Sequence, residues 1–239
     1  MPAPARICVV VPVYNHGLTV RQVVQGARKL FPVIVADDGS TDQTPAHLAE
    51  ETNKEQSELV VITLPENRGK AAAIRAGFKR AEEMGFTHAI TMDADGQHPI
   101  EALPEFSRMC LEHPEAFIIG VRDLKAARAP WVRRISNALS TFWFRLETGV
   151  PLTDTQCGFR VYPLAALRRL RIKSDRYAYE LEVMVKAAWA GIPLKPCPVK
   201  ADYDAPTSRL SHFHPLRDFL RVAQAHARLL KGAVRMRVR

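Results

Sequence analysis

No stretch of about 18 consecutive apolar residues occurs in the sequence, so it offers no candidate membrane-spanning helix. The apolar run near the start, Ile7–Val11, is too short for a secretory leader and is interrupted by Pro12. Cysteine is scarce. Cys8, Cys110, Cys157 and Cys197 form no C-x-x-C pair, which removes zinc ribbons and dithiol redox motifs. They read as buried thiols in a reducing compartment, so a cytoplasmic location is expected, at most peripheral on the inner face of the cytoplasmic membrane. No G-x-G-x-x-G follows the first apolar run, which disfavours a redox Rossmann enzyme. Repeats and low-complexity linkers are absent, as are zinc fingers and runs of aromatic stacking platforms, and no nucleic-acid partner is expected.

What is present points to one α/β domain of ordinary size. The chain has 239 residues, of which 47% are hydrophobic, enough for a sizeable core. A formal net charge of +9 by itself favours phosphate-bearing partners: nucleic acid, an anionic lipid or a nucleotide donor. Short β-branched runs at 7–11, 33–36, 59–64, 89–92 and 117–121 alternate with helical patterns at 19–30, 44–52, 70–84 and 100–112. This alternation predicts a mostly parallel sheet with helices on both faces. Further on, the pattern predicts helices over 131–147 and 177–190 and short strands at 159–162 and 199–203.

In such sheets ligands bind beyond the carboxyl ends of the strands. Three polar clusters fall there: Pro12-Val13-Tyr14-Asn15, Asp37-Asp38-Gly39-Ser40-Thr41-Asp42 and Asp93-Ala94-Asp95-Gly96-Gln97-His98-Pro99. Side chains two apart in an extended segment share a side, so Asp93 and Asp95 can aim at one cation, with Gln97 adding a neutral oxygen. A plain Asp/Gly/Pro turn is the alternative for this stretch. Asp37 and Asp38 suit hydrogen bonds to ribose hydroxyls or a base N–H. Tyr14 suits either base stacking or an anchoring role in its loop. Asn67-Arg68-Gly69-Lys70 leads into the third helix, where free backbone N–H groups and cations attract an anion.

These motifs, in this order and spacing over residues 6–165, resemble glycosyltransferase family 2, whose members have the Rossmann-like GT-A fold. Within it the chain is most similar to the polyprenyl-phosphate (dolichyl-phosphate) mannosyl- and glucosyltransferases, through Arg134-Ile135-Ser136-Asn137 and Asp154-Thr155-Gln156-Cys157-Gly158-Phe159-Arg160. The resemblance implies a GT-A domain over 1–205, with a nucleotide-sugar half at about 6–121 and an acceptor half at about 122–205. It implies that Pro12, Tyr14, Asn15, Asp37, Asp38, Asn67, Lys70 and Asp93 bind the UDP- or GDP-sugar donor. Asp93, Asp95 and Gln97 would hold Mg²⁺ or Mn²⁺, and Arg134 and Arg160 would hold phosphates. Inversion at the sugar carbon is implied by the resemblance alone. The Gln-x-x-Arg-Trp signature of processive members is absent, so polymer synthesis is not expected. Ala71 stands where many relatives have glycine.

The expected reaction is metal-dependent sugar transfer to a polyprenyl phosphate, whose oxygen is already anionic and needs no base. The alternative is transfer to a hydroxyl on a glycan or other lipid, which needs a general base. Asp154 is the candidate, an Asx turn or helix cap being its other reading. Glu180 and Glu182 are two apart on a helix, so only one can face the site, and one is expected in solvent. His98 reads as a further ligand or a loop histidine bonded to backbone. From 206 to 239 the sequence predicts a basic amphipathic helix, either packed on the domain or lying on an anionic membrane.

Overall fold

The computed structural model describes residues 5–53, 58–175, 178–200 and 224–230. Strands β1 (Ile7–Val13), β2 (Val33–Asp37), β3 (Leu59–Thr63) and β4 (His88–Thr91) alternate with helices α1 (Val20–Ala27), α2 (Thr44–Thr52) and α3 (Lys70–Glu83). A 3-10 turn at Ile100–Ala102 then leads into α4 (Leu103–Glu112). Beyond it lie β5 (Phe117–Arg122), α5 (Trp131–Thr148), β6 (Arg160–Pro163), α6 (Leu164–Arg169), α7 (Ala178–Trp189) and β7 (Leu194–Val199). The strands form one seven-stranded sheet in the order β3-β2-β1-β4-β6-β5-β7. All pairings are parallel except those of β6, which runs antiparallel to both β4 and β5.

The continuous apolar strands follow from burial on both faces. Val9, Val11 and Val13 of β1 point into one core cluster with Val20 of α1, Leu48 of α2 and Leu103 of α4. Cys8 and Val10 point into the other, with Ile74 of α3, Phe144 of α5 and Val183 of α7. Chain order reverses between β1 and β4: β2 and β3 extend one way from β1, and β4 lies on its other side. The crevice at that reversal is where open α/β sheets bind ligands.

Several expectations shift. Pro12 does not end β1, which continues to Val13. Its missing N–H lies on the β4 side, past Thr91, where β4 has stopped, so no ladder bond is lost. Among the described residues the last strand is Leu194–Val199, which meets the expected 199–203 only at Val199. Pro196 and Pro198 disguise it, and they are tolerated because β7 is an edge strand. The remainder of the expected strand, 201–203, lies outside the described residues. Helix α6 was not anticipated; six residues are too few to show a period.

Of the C-terminal segment only 224–230 is described, and it is helical. Ala225, His226 and Leu229 are buried. The His226 ring lies 3.0 Å from the Glu147 carboxylate and 3.2 Å from Ser140 Oγ, both on α5. This part therefore packs on the domain. The rest of the expected basic helix, 206–223 and 231–239, lies outside the described residues. Among the described residues no helix is long and apolar enough to cross a membrane.

Candidate active site

The loops after β1 and β2 are tied together by Asn15. It adopts a left-handed backbone, φ 55°, which asparagine accommodates better than most residues. Its backbone N–H donates to Ser40 Oγ at 2.9 Å, and its Oδ1 accepts from the N–H groups of Thr41 and Asp42. Asp42 returns the contact by accepting from Gly17 N–H. Asn15 thus fixes the two loops against each other. Tyr14 beside it is half-buried, and Pro12 is buried beneath the loop.

The two aspartates after β2 differ. Asp38 accepts from the N–H groups of Arg68 and Gly69, at 2.9 and 2.7 Å. Both of its oxygens therefore organise the entry to α3. Gly69 sits at φ 93°, a conformation that a side chain would strain. Asp37 uses Oδ1 on Ser40 N–H, while its Oδ2 is buried without a partner among the described residues. Such an orphaned acceptor is costly unless a ligand supplies a donor. Of the two expected nucleotide contacts, Asp37 retains capacity for one and Asp38 is engaged by backbone. Asn67 is exposed on the same loop.

Lys70 opens α3 and carries the charge at the centre. Its ammonium lies 2.7 Å from Asp93 and 3.3 Å from Glu180 of α7. His98 Nε2 stands 3.2 Å from the other Asp93 oxygen, and its ring lies 5.1 Å from that of Phe159. Burial works against ionisation of Asp93, but the Lys70 ammonium and His98 hold its carboxyl far below the usual carboxylate range. His98 thus buttresses Asp93, and among the described residues its ring shows no bond to backbone. Gly158 closes this corner. A Cβ there would stand 2.7 Å from Asp93 Oδ2 and 2.8 Å from Lys70 Nζ.

The expected metal set is not brought together as three equal ligands. Asp93 is already charge-balanced by Lys70. Asp95 is partly exposed, its only described bond being from Gln97 N–H at 3.0 Å. The Gln97 side-chain nitrogen is buried without a partner among the described residues. The protein therefore does not fix that amide's orientation, and turned over it presents oxygen. Among the described residues no group of three or more His, Cys, Asp or Glu side chains could hold a metal ion. One carboxylate and one amide oxygen, with donor phosphates and water completing the shell, suit Mg²⁺ or Mn²⁺.

Two expected residues fall elsewhere. Arg160 is 1% exposed, and its guanidinium donates to the carbonyls of Cys157, Thr155 and Glu180. It ties the loop before β6 to α7 and presents no N–H to a phosphate. Asp154 is fully buried and gripped by Arg122 at 2.7 and 3.1 Å, with the N–H groups of Arg122 and Gln156 also donating. That leaves no accessible lone pair for an acceptor proton. A carboxylate paired with an arginine was not visible in sequence, because Arg122 lies 32 residues away on β5. Arg134 stands exposed in the first turn of α5. Glu180 faces the site through Lys70. Glu182, expected in solvent if Glu180 faced inward, is instead buried, capping the N–H groups of Lys173 and Ser174 and paired with Lys186. Sequence reasoning left open whether Glu180 or Glu182 faces the site; Glu180 stands in the first turn of α7, and only its contact with Lys70, 110 residues earlier, decides it.

A parallel-sheet switch point lined by Asp37, Lys70, Asp93 and Asp95 defines a GT-A glycosyltransferase. The structure of mannosyl-3-phosphoglycerate synthase from Rubrobacter xylanophilus matches with a TM-score of 0.69 at 17% identity, covering 98% of this chain and 75% of that one. Glucosyl-3-phosphoglycerate synthase from Mycobacterium tuberculosis, solved with Mn²⁺ and UDP-glucose, matches at 0.64 and 19% identity, covering 86% and 74%. The family model for glycosyl transferase family 2 matches residues 8–171, and the chain belongs to that family. A similar curated protein is the UDP-N-acetylglucosamine–dolichyl-phosphate N-acetylglucosaminyltransferase of Methanococcus voltae, 26% identical over 215 residues, covering 82% of this chain and 86% of the relative. Another is the undecaprenyl-phosphate 4-deoxy-4-formamido-L-arabinose transferase of Proteus mirabilis, 30% identical over 165 residues, covering 66% of this chain and 48% of that longer protein.

Proposed function

We propose that this enzyme moves a sugar, with inversion, from a UDP- or GDP-sugar to a polyprenyl phosphate at the cytoplasmic face of a membrane. The observation that carries the acceptor class is the saturation of Asp154. Asp154, the carboxylate that the sequence offers as a general base, is locked by Arg122, and a phosphate acceptor needs no base. Relatives whose names specify dolichyl or undecaprenyl phosphate support the same acceptor.

Asp37 Oδ2 would accept a hydrogen bond from the nucleoside. Asp38 holds the Arg68–Gly69 turn so that the first N–H groups of α3 face the diphosphate. Lys70, anchored by Asp93 and Glu180, sets a fixed positive charge where negative charge develops on the leaving group, a preorganised arrangement that costs no reorganisation during reaction. Asp95 and Gln97 would hold a divalent cation, which supplies Lewis-acid stabilisation of the departing diphosphate. Arg134 would hold the acceptor phosphate.

The test is nucleoside diphosphate release from a panel of UDP- and GDP-sugars, with and without Mg²⁺ or Mn²⁺ and undecaprenyl phosphate. Release requiring both metal and lipid phosphate is expected, with loss of about 100-fold or more in Asp95→Ala. Release stimulated only by an alcohol acceptor overturns the acceptor assignment. Full activity in excess chelator overturns the role of the metal.

A further inference from the structure

Helix α5 has two unlike faces. Ser136, Asn137, Ser140, Phe144 and Glu147 turn inward and are buried. Asn137 accepts from Thr155 N–H and donates to the Thr153 carbonyl, and Ser136 accepts from the Gln156 amide. This inner face holds the loop that carries Asp154. On the outer face stand Trp131, Ile135, Leu139, Phe142 and Leu146, 70%, 57%, 36%, 59% and 54% exposed. At 3.6 residues per turn these five fall within an arc of about 80°. Lone exposed apolar residues need no explanation, but a continuous stripe of five along one helix marks an interaction surface.

The charges identify the partner. Arg134 and Arg145 are exposed and follow one border of the stripe. The helix contains a single acid, Glu147, which points inward to His226. An apolar stripe with a tryptophan at one end, arginine along its border and no outward acid matches the chemistry of an anionic lipid surface. A protein partner fitted to this face would have to match its arginines with acids, whereas a lipid headgroup layer does so along its whole length.

We infer that the outer face of α5 docks the enzyme on an anionic bilayer, with Trp131, Ile135, Leu139, Phe142 and Leu146 in the headgroup–acyl boundary. This deepens the acceptor reading by naming the face that meets the membrane. Its inner face would then hold the 153–156 loop one helix diameter from the lipid, where a phosphate on a polyprenyl chain stands.

The test is sedimentation of the full chain with phosphatidylglycerol/phosphatidylcholine vesicles and with phosphatidylcholine alone, without donor or metal, so that it fails independently of the enzymatic reading. Binding to the anionic vesicles is expected, weakening with salt. The triple substitution Trp131→Ser, Phe142→Ser, Leu146→Ser should reduce the partition coefficient at least tenfold, with an unchanged far-UV circular dichroism spectrum. Arg145→Gln, which keeps the apolar stripe intact, should weaken anionic binding about fivefold. A blue shift of tryptophan emission on vesicle addition should vanish in Trp131→Phe. Undiminished vesicle binding by the triple variant overturns the proposal. So does a concentration-dependent dimer that the triple variant abolishes, with no vesicle binding by the parent chain.

Discussion

Lys70 is one side chain between two carboxylates, Asp93 and Glu180, contributed by β4's loop and by α7. Replacing it by methionine keeps the stem and removes the charge. Among the described residues Glu180 then has no counter-ion and Asp93 keeps only His98, so Lys70→Met should lose about 1–3 kcal/mol in urea unfolding. It should also lower kcat/KM by about 100-fold or more in the donor-release assay. Glu182 supplies a contrast, since it is buried outside the site. Burial opposes its ionisation, but Lys186 and the N–H groups of Ser174 and Lys173 lower its pKa below the ordinary value. A carboxyl depressed in the folded state stabilises above its unfolded pKa, and that contribution is lost as pH falls through the folded one. Glu182→Gln should therefore cost stability at pH 7, and the gap to the parent should close as pH drops below about 4.5, read from thermal melts across pH. At this scale the sequence showed which residue types cluster but not their partners. Asp93 and Asp95 look equivalent in Asp-x-Asp, and it is their contacts, Lys70 and His98 on Asp93, that separate them.

At the scale of elements, the turn 154–158 joins the late part of the chain to the early part. Gly158 fits against Asp93 and Lys70 with no room for a methyl group. Gly158→Ala should leave the sheet intact but displace this ion pair, lowering turnover by about tenfold or more with a smaller change in melting temperature, measured by the same assay and by calorimetry. The alternating first half was legible to within a few residues because every strand there is a β-branched run closed by a polar loop. Beyond β5 the strand β6 and the helices α5 and α7 still fall within a residue or so of expectation, whereas α6 and β7 do not. Helix α6 is six residues long. β7 is written with two prolines. The exposed stripe of α5 obscures which side of that helix is core, since tryptophan and phenylalanine lie outward and serine and asparagine inward. Arg160, which reads as a phosphate ligand from its motif, proves to be a strut: its three bonded carbonyls belong to residues 155, 157 and 180.

For the whole molecule, the basic surplus favours phosphate-bearing partners in general, and the polyprenyl-phosphate reading rests on the family resemblance, which relatives named for dolichyl and undecaprenyl phosphate share. The four cysteines are all free and buried, as their spacing suggested, and burial pushes the Cys8 thiol up to about 12 and that of Cys157 up to about 11. What could not be read was the strand order, because pairings between distant segments leave no local pattern. The reversed strand β6 also bears on synthesis at the ribosome. β5 pairs only with β6 and β7, so when residues 117–122 emerge they have no neighbour in the sheet. β4 meanwhile offers a bare edge that nothing fills until residue 160 is made. At about 5–20 residues per second that interval lasts several seconds, ample time for a nascent chain to be captured by a chaperone or to associate edge to edge. Chains stalled with 150 residues outside the exit tunnel should be cleaved readily by protease within β5 and protected within β1 and β2. Equal protection of all three would mean that β5 finds its place without β6.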